Sequence, residues 1–179
     1  MFKQFLTTAH QKIVLNAPKV FALPAAIVPF SVQKKALSEL LKRILAEAIE
    51  DDDLDFLEDK WLKVEVIDLK LAWYLSFADG ELVICESIKA EQADVTFAGN
   101  VNELILIAGK KEDPDTLFFQ RRLSIMGDTE LGLEVKNLLD NIDFDSLPPM
   151  VSKALDQFSQ FIKEGVAIKS PDTVFFTPN

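Results

Sequence analysis

The run Leu62-Lys63-Val64-Glu65-Val66-Ile67-Asp68-Leu69-Lys70-Leu71-Ala72-Trp73-Tyr74-Leu75-Ser76-Phe77-Ala78-Asp79-Gly80-Glu81-Leu82-Val83-Ile84-Cys85-Glu86-Ser87 decides the fold class. Leu62, Val64 and Val66 alternate with Lys63 and Glu65. Leu69, Leu71, Trp73, Leu75 and Phe77 then alternate with Lys70, Ala72, Tyr74 and Ser76. Alternation of this kind belongs to half-buried strands. Asp79-Gly80 is a strong short-range hairpin signal, so Lys70 to Phe77 is predicted to pair with Glu81 to Ser87. A further strand is predicted over Ala93 to Ala98.

Upstream the apolar period is helical. Ala36, Leu37, Leu40, Leu41, Ile44, Leu45 and Ala48 form a stripe opposed by Lys34, Lys35, Lys42 and Arg43, predicting one long helix from Val32 to about Glu50 with Ser31 as its cap. Before it, Phe2, Phe5, Leu6, Ile13 and Val14 suit a short amphipathic helix, and Pro18, Pro24 and Pro29 mark an irregular apolar connector. Downstream, Asn100 and Glu103 have the spacing of a capping box for a helix ending near Gly109. Asp113-Pro114 opens a short helix through Gln120, and Leu123 and Ile125 mark a last strand closed by Gly127. Asp128 caps a helix turning Leu131, Val135, Leu138, Leu139 and Ile142 inward. A final helix from about Pro148 to Glu164 presents Val151, Ala154, Leu155, Phe158, Phe161 and Ile162. The sum is an α+β domain with about five short, mostly antiparallel strands and helices on one face. Its organisation is read as an N-terminal membrane or partner segment over 1–30, a domain over 31–164 and a tail over 165–179.

The chain has 179 residues, 49% of them apolar and 27% charged, enough to bury one core and too apolar for intrinsic disorder. A net charge of -10 argues against general nucleic-acid binding, which needs clustered cations. The charge is uneven: residues 1–45 hold seven cations and one anion, leaving 12 cations and 28 anions downstream. An apolar, cationic leading segment suits attachment to an anionic membrane surface or docking on a partner. Val20 to Gln33, the longest uncharged stretch, is too short to span a bilayer. The first ten residues do not read as a secretory signal, so the chain is expected to start near Met1. Cys85 is the single cysteine, which excludes an intrachain disulfide and points to a reducing, cytoplasmic compartment.

Catalytic devices are missing from the sequence. There is no G-x-S-x-G, P-loop, H-E-x-x-H or G-x-G-x-x-G pattern, and the only histidine, His10, lies outside the expected core. Asp51, Asp53 and Asp55 start like a calcium loop, but Phe56 and Leu62 stand where Gly and Glu are required, so a solvated acidic turn is expected. Neither a cofactor nor a metal is predicted. Fourteen Phe against one Tyr is ring volume chosen almost without polar handles, consistent with a packed core or with an apolar cavity.

The stretch from Asp113-Pro114-Asp115-Thr116-Leu117-Phe118-Phe119-Gln120-Arg121-Arg122-Leu123-Ser124-Ile125-Met126-Gly127-Asp128-Thr129-Glu130-Leu131-Gly132 through Leu138 closely resembles the signature of the bacterial UbiT-type accessory factors of ubiquinone biosynthesis. The similarity continues through Asp55-Phe56-Leu57-Glu58 and Lys60-Trp61-Leu62 and covers nearly the whole chain. The resemblance implies a sterol carrier protein type-two fold whose sheet and helices enclose an apolar tunnel, holding a lipid without transforming it. It further implies a polyprenylated ubiquinone intermediate as cargo, the oxygen-independent branch as setting, and iron–sulfur hydroxylation proteins of the collagenase-like peptidase type as partners. On this reading the protein is cytoplasmic, with possible peripheral attachment to the inner membrane. Trp73, Phe77, Phe97, Leu104, Phe118, Phe119, Met126, Leu131 and Val135 are the tunnel candidates, as bulky apolar residues on faces that should meet. Arg121 and Arg122, adjacent on a strand, should point to opposite faces, one of them pairing with Asp128 or Glu130 or holding a head group. Two other readings stay open: a scaffold with a filled core, and a lipid-modifying enzyme such as an isomerase or thioesterase using buried carboxylates.

Overall fold

The computed structural model describes residues 28–88, 92–142 and 144–167. The amphipathic segment expected at residues 2–15, His10 within it, and the tail beyond residue 167 lie outside the described residues.

Five strands, β1 (Leu62–Val66), β2 (Leu71–Ala78), β3 (Glu81–Cys85), β4 (Val95–Gly99) and β5 (Leu123–Gly127), form one sheet in the order β3-β2-β1-β4-β5. All neighbours are antiparallel except β1 and β4, which run parallel. The hairpin falls where the sequence predicts it. Asp79 and Gly80 both have left-handed φ values, 53° and 76°, and Ala78 pairs with Glu81 across them. The register aligns Val64 with Trp73 on one side and with Phe97 on the other, while Leu62 meets Leu75 and Val95. One apolar row therefore crosses the sheet and becomes its core face.

Helices α1 (Phe30–Ile44), α2 (Ala46–Glu50), α3 (Val101–Ala108), α4 (Pro114–Phe119), α5 (Thr129–Asn141) and α6 (Pro149–Ala167) surround that sheet, with short 3-10 turns at Asp55–Leu57, Ile67–Leu69 and Phe144–Ser146. The main core joins Leu62, Leu75, Phe77, Ile84, Val95 and Phe97 of the sheet to Ile44, Leu45, Leu54 and Leu57 before it and to Ile107, Leu117, Leu131 and Val135 after it. Among the described residues, no helix is long and apolar enough to cross a membrane.

Several local expectations are corrected. The helix predicted over Val32–Glu50 is two, broken at Leu45, and the break sends consecutive Ile44 and Leu45 into the core. Ser31 does not cap it, because the helix begins at Phe30 with Pro29 before it and no side-chain cap. Strand β2 starts at Leu71, since Ile67–Leu69 turns and Lys70 is left-handed (φ 54°), which lets Asp68 Oδ1 accept the Val101 N–H of α3. That contact replaces the capping box: Asn100 makes no side-chain cap, and Glu103 is drawn to Arg122.

Helix α6 turns only part of the predicted face inward, with Leu155 packed against the core as expected. Ser159 and Ile162 are buried, whereas Val151, Phe158 and Phe161 are exposed. The cause is a close crossing with the end of α3, where a Cβ on Gly109 would collide with Ser159. Only a small side chain fits there, so the serine goes in and Phe158 beside it goes out. The helix also continues to Ala167, past the expected end at Glu164.

Candidate functional site

A broad apolar groove lies between α4, β5 and α5. Asp113 accepts the Thr116 N–H at its Oδ1, 3.0 Å away, and Pro114 supplies a preset φ, so α4 starts as the sequence predicts. Six residues later the helix is over, with Leu117 fully buried and Phe118 and Phe119 left outside, their rings edge-on with centroids 6.3 Å apart. Arg121, left-handed at φ 59°, turns the chain into β5. At the far end of β5, Gly127 has φ 118° and packs against the Asp94 carbonyl so closely that a Cβ would strike it. Asp94 binds this corner further, its carbonyl accepting the Asp128 N–H and its Oδ2 the Trp61 N–H. Asp128 Oδ1 then caps α5 through the N–H groups of Glu130 and Leu131, at 2.9 and 3.0 Å.

Helix α5 lies close on β5 because position 132 is glycine, where a Cβ would sit 3.0 Å from Ile125 Cγ2. The result is a groove of about 700 Å³ floored by Phe97, Leu123 and Ile125 and walled by Phe118, Phe119 and Leu133. A smaller cavity of about 240 Å³ lies among α1, the sheet and α3, lined by Leu37, Leu41, Val64, Trp73, Leu104 and others, almost all apolar. Phe97 and Leu139 line both spaces. A third, more polar cleft of about 440 Å³ opens beside Lys110, Lys111, Asp113 and Asp140, and Leu139 lines it as well.

Charged groups occur only at the groove's margin. Lys136 Nζ stands 3.1 Å from Asp115 and 3.9 Å from Asp140, tying α5 to α4. The hydrogen bond that the ammonium donates to Asp115 holds it above the usual lysine range, with the charges of Asp115, Asp140 and Asp113 acting the same way and desolvation opposing them. Asp115 is thus ion-paired and Asp128 Oδ1 is occupied by the helix cap, and Glu130 lines the groove beside them. Among the described residues, no group of three or more His, Cys, Asp or Glu could hold a metal, the Asp51–Asp55 turn included.

The model of the SCP-2 sterol transfer family matches residues 37–140, from the second half of α1 through α2, the sheet, α3 and α4 to most of α5. The ubiquinone biosynthesis accessory factor UbiT of Escherichia coli strain K12 is 39% identical over 168 residues, which is 94% of each chain. The chain belongs to the UbiT-type branch of the SCP-2 sterol transfer family. The UbiT proteins of Escherichia coli O6:H1 and O157:H7 match to the same extent. Among solved structures, the UbiJ-SCP2 ubiquinone synthesis protein superposes with a TM-score of 0.50 at 20% identity, over 63% of this chain and 97% of its own. That likeness shows the SCP-2 fold.

On this SCP-2 frame the nine candidate residues separate. Phe97, Phe118, Phe119 and Met126 line the groove, and Trp73, Phe97 and Leu104 line the inner cavity. Phe77, Leu131 and Val135 pack in the core and line neither. Among the described residues, the apolar space takes the form of a groove, on which Phe119 is 81% and Met126 57% exposed, and a cavity that shares Phe97 and Leu139 with it. Arg121 and Arg122 precede the strand, and Arg122 pairs with Glu103, not with Asp128 or Glu130. Leu139 was visible as an inward helix residue but not as a cavity residue, because what it borders depends on α1 and the Phe144 turn. Trp73 is further fixed by its indole N–H, which donates to Gln33 Oε1 of α1 at 3.0 Å.

Proposed function

We propose that this chain is a non-enzymatic accessory factor of ubiquinone biosynthesis that holds polyprenylated intermediates while other enzymes modify them, in the oxygen-independent branch. The observation that carries this reading is the apolar groove between α4 and α5, backed by a second apolar cavity behind Phe97 and Leu139. Its volume lies within the range of ordinary ligand pockets, and its few charged groups are at the rim, which suits a long hydrocarbon with a polar end left outside. The name borne by the relative that is 39% identical supplies the biosynthetic setting. The engagement of Asp115 and Asp128 in an ion pair and a helix cap favours holding over transforming a ligand.

Residues 31–164 form the lipid-binding domain in this proposal, with 1–30 as an anionic-membrane or partner segment and 165–179 as a tail. The partners are quinone-biosynthesis enzymes, including iron–sulfur hydroxylation proteins of the collagenase-like peptidase type, and the location is cytoplasmic and peripheral to the inner membrane. The test is solvent extraction and mass spectrometry of lipid retained by the full chain purified natively from oxygen-starved cells. A stoichiometric polyprenylated quinone precursor supports the carrier. Recovery of none, with biosynthetic enzymes still co-purifying, replaces it with a scaffold. Replacing Lys3, Lys12 and Lys19 by Glu should reduce binding to anionic liposomes, and unchanged binding removes the membrane role of that segment.

A further inference from the structure

Leu139 borders each of the three spaces described above: the outer groove, the inner apolar cavity and the polar cleft. Phe97 is the one other residue that lines both the groove and the inner cavity. The two differ in freedom. Phe97 is 5% exposed, sits in the middle of strand β4 and is paired on both sides, with Val64 of β1 and Ile125 of β5. Leu139 is half-buried near the end of α5, and a side chain bordering voids lacks packing partners on those sides. Its rotamers are therefore less restrained than those of a close-packed leucine.

We propose that Leu139 is the partition that sets how long an apolar chain this protein accepts. With the side chain between the two spaces, a ligand tail is confined to the outer groove. With the side chain turned toward the polar cleft, the tail continues past Phe97 into the space among Leu37, Val64, Trp73 and Leu104. Tail atoms there leave water for a nearly pure hydrocarbon lining, and each added methylene strengthens binding by about fourfold until the space is filled. The polar cleft, flanked by Lys110, Lys111 and Asp140, stays wet and stops further growth. Chain-length preference is thus assigned to one residue on α5. This inference rests on the groove being a lipid site.

The experiment measures affinities of geraniol, farnesol, geranylgeraniol and longer prenyl alcohols by displacement of a fluorescent fatty acid from the full chain, for the wild type and for Leu139→Ala, Leu139→Phe and Leu139→Met. In the wild type, affinity should climb with each isoprene unit and then level off. Leu139→Ala should move that plateau to longer alcohols, Leu139→Phe should move it to shorter ones, and Leu139→Met, close in volume, should keep it. Leu133→Ala, which alters the outer groove alone, should weaken every alcohol alike without moving the plateau. One common plateau for wild type, Leu139→Ala and Leu139→Phe overturns the partition while leaving the lipid site standing. Absence of any length dependence in the wild type overturns the lipid site itself. Leu139→Met also shows whether a changed profile follows side-chain volume or misfolding.

Discussion

Arg122 donates from both Nε and Nη2 to one oxygen of Glu103, at 3.1 and 3.0 Å, while the other oxygen, Oε2, is buried with no partner among the described residues. The pair joins α3 to the entrance of β5, and Glu103 is only 8% exposed. Removing the guanidinium leaves a carboxylate in a poorly hydrated place. Arg122→Met should therefore cost about 2 to 4 kcal/mol in urea unfolding, less than for a fully buried pair because the arginine is partly in water. The double variant Glu103→Met/Arg122→Met should be more stable than Arg122→Met alone. If it is less stable, the carboxylate is not what the arginine compensates.

Gly109→Ala tests the crossing of α3 and α6. Gly109 has φ -84°, so alanine brings no backbone strain, and the cost comes mainly from collision with Ser159, with the Ile105 carbonyl 3.2 Å away as a lesser contact. Overpacking of this kind costs about 1 to 3 kcal/mol. Adding Ser159→Gly should recover much of it, and a double variant no better than Gly109→Ala would place the damage elsewhere.

Phe119 separates binding from folding. It is 81% exposed and lines the groove, so Phe119→Ala should leave the unfolding free energy nearly unchanged, within about 0.5 kcal/mol. Loss of roughly 1.5 kcal/mol of apolar contact should weaken prenyl-alcohol binding by about tenfold. Intact affinity would mean that ligands do not touch α4.

Lys136 gives an alkaline signature. Its folded-state value is raised, mainly by the Asp115 hydrogen bond, so the stabilisation is fully present below the usual lysine range and fades as pH climbs through that raised value. Melting curves of the wild type and Lys136→Met should differ by a constant gap near neutrality, and the gap should close in strongly alkaline buffer. A gap that persists there would assign the effect to the lysine stem and not to its charge.

Much of the fold was legible because it is written in local chemistry. Asp79-Gly80 makes its turn wherever flanking strands allow, Asp113 and Asp128 accept N–H groups within three residues of themselves, and Pro114 presets φ at the start of its own helix. The misses share the opposite cause. Glu103 has capping-box spacing, yet an arginine 19 residues away captures its carboxylate, and Asp68 takes over the start of α3. Phe158 looks more like a core residue than Ser159, but the crossing at Gly109 decides which of them enters. At the site, Phe97, Phe118 and Trp73 were legible as bulk. Their division between two spaces was not, since it depends on Leu37, Leu139 and Phe144, which no periodicity brings together.

Leu37 and Leu139 border the same inner cavity from opposite ends of the described domain. During synthesis the β1–β2–β3 meander leaves the ribosome well before α5 exists, and the compartment has no far wall until then. Under the proposed carrier role, loading is thereby postponed to the completed polypeptide. A cargo that binds only that finished state stabilises the whole cooperative unit and no single element, so occupancy should lengthen the protein's lifetime against proteolysis.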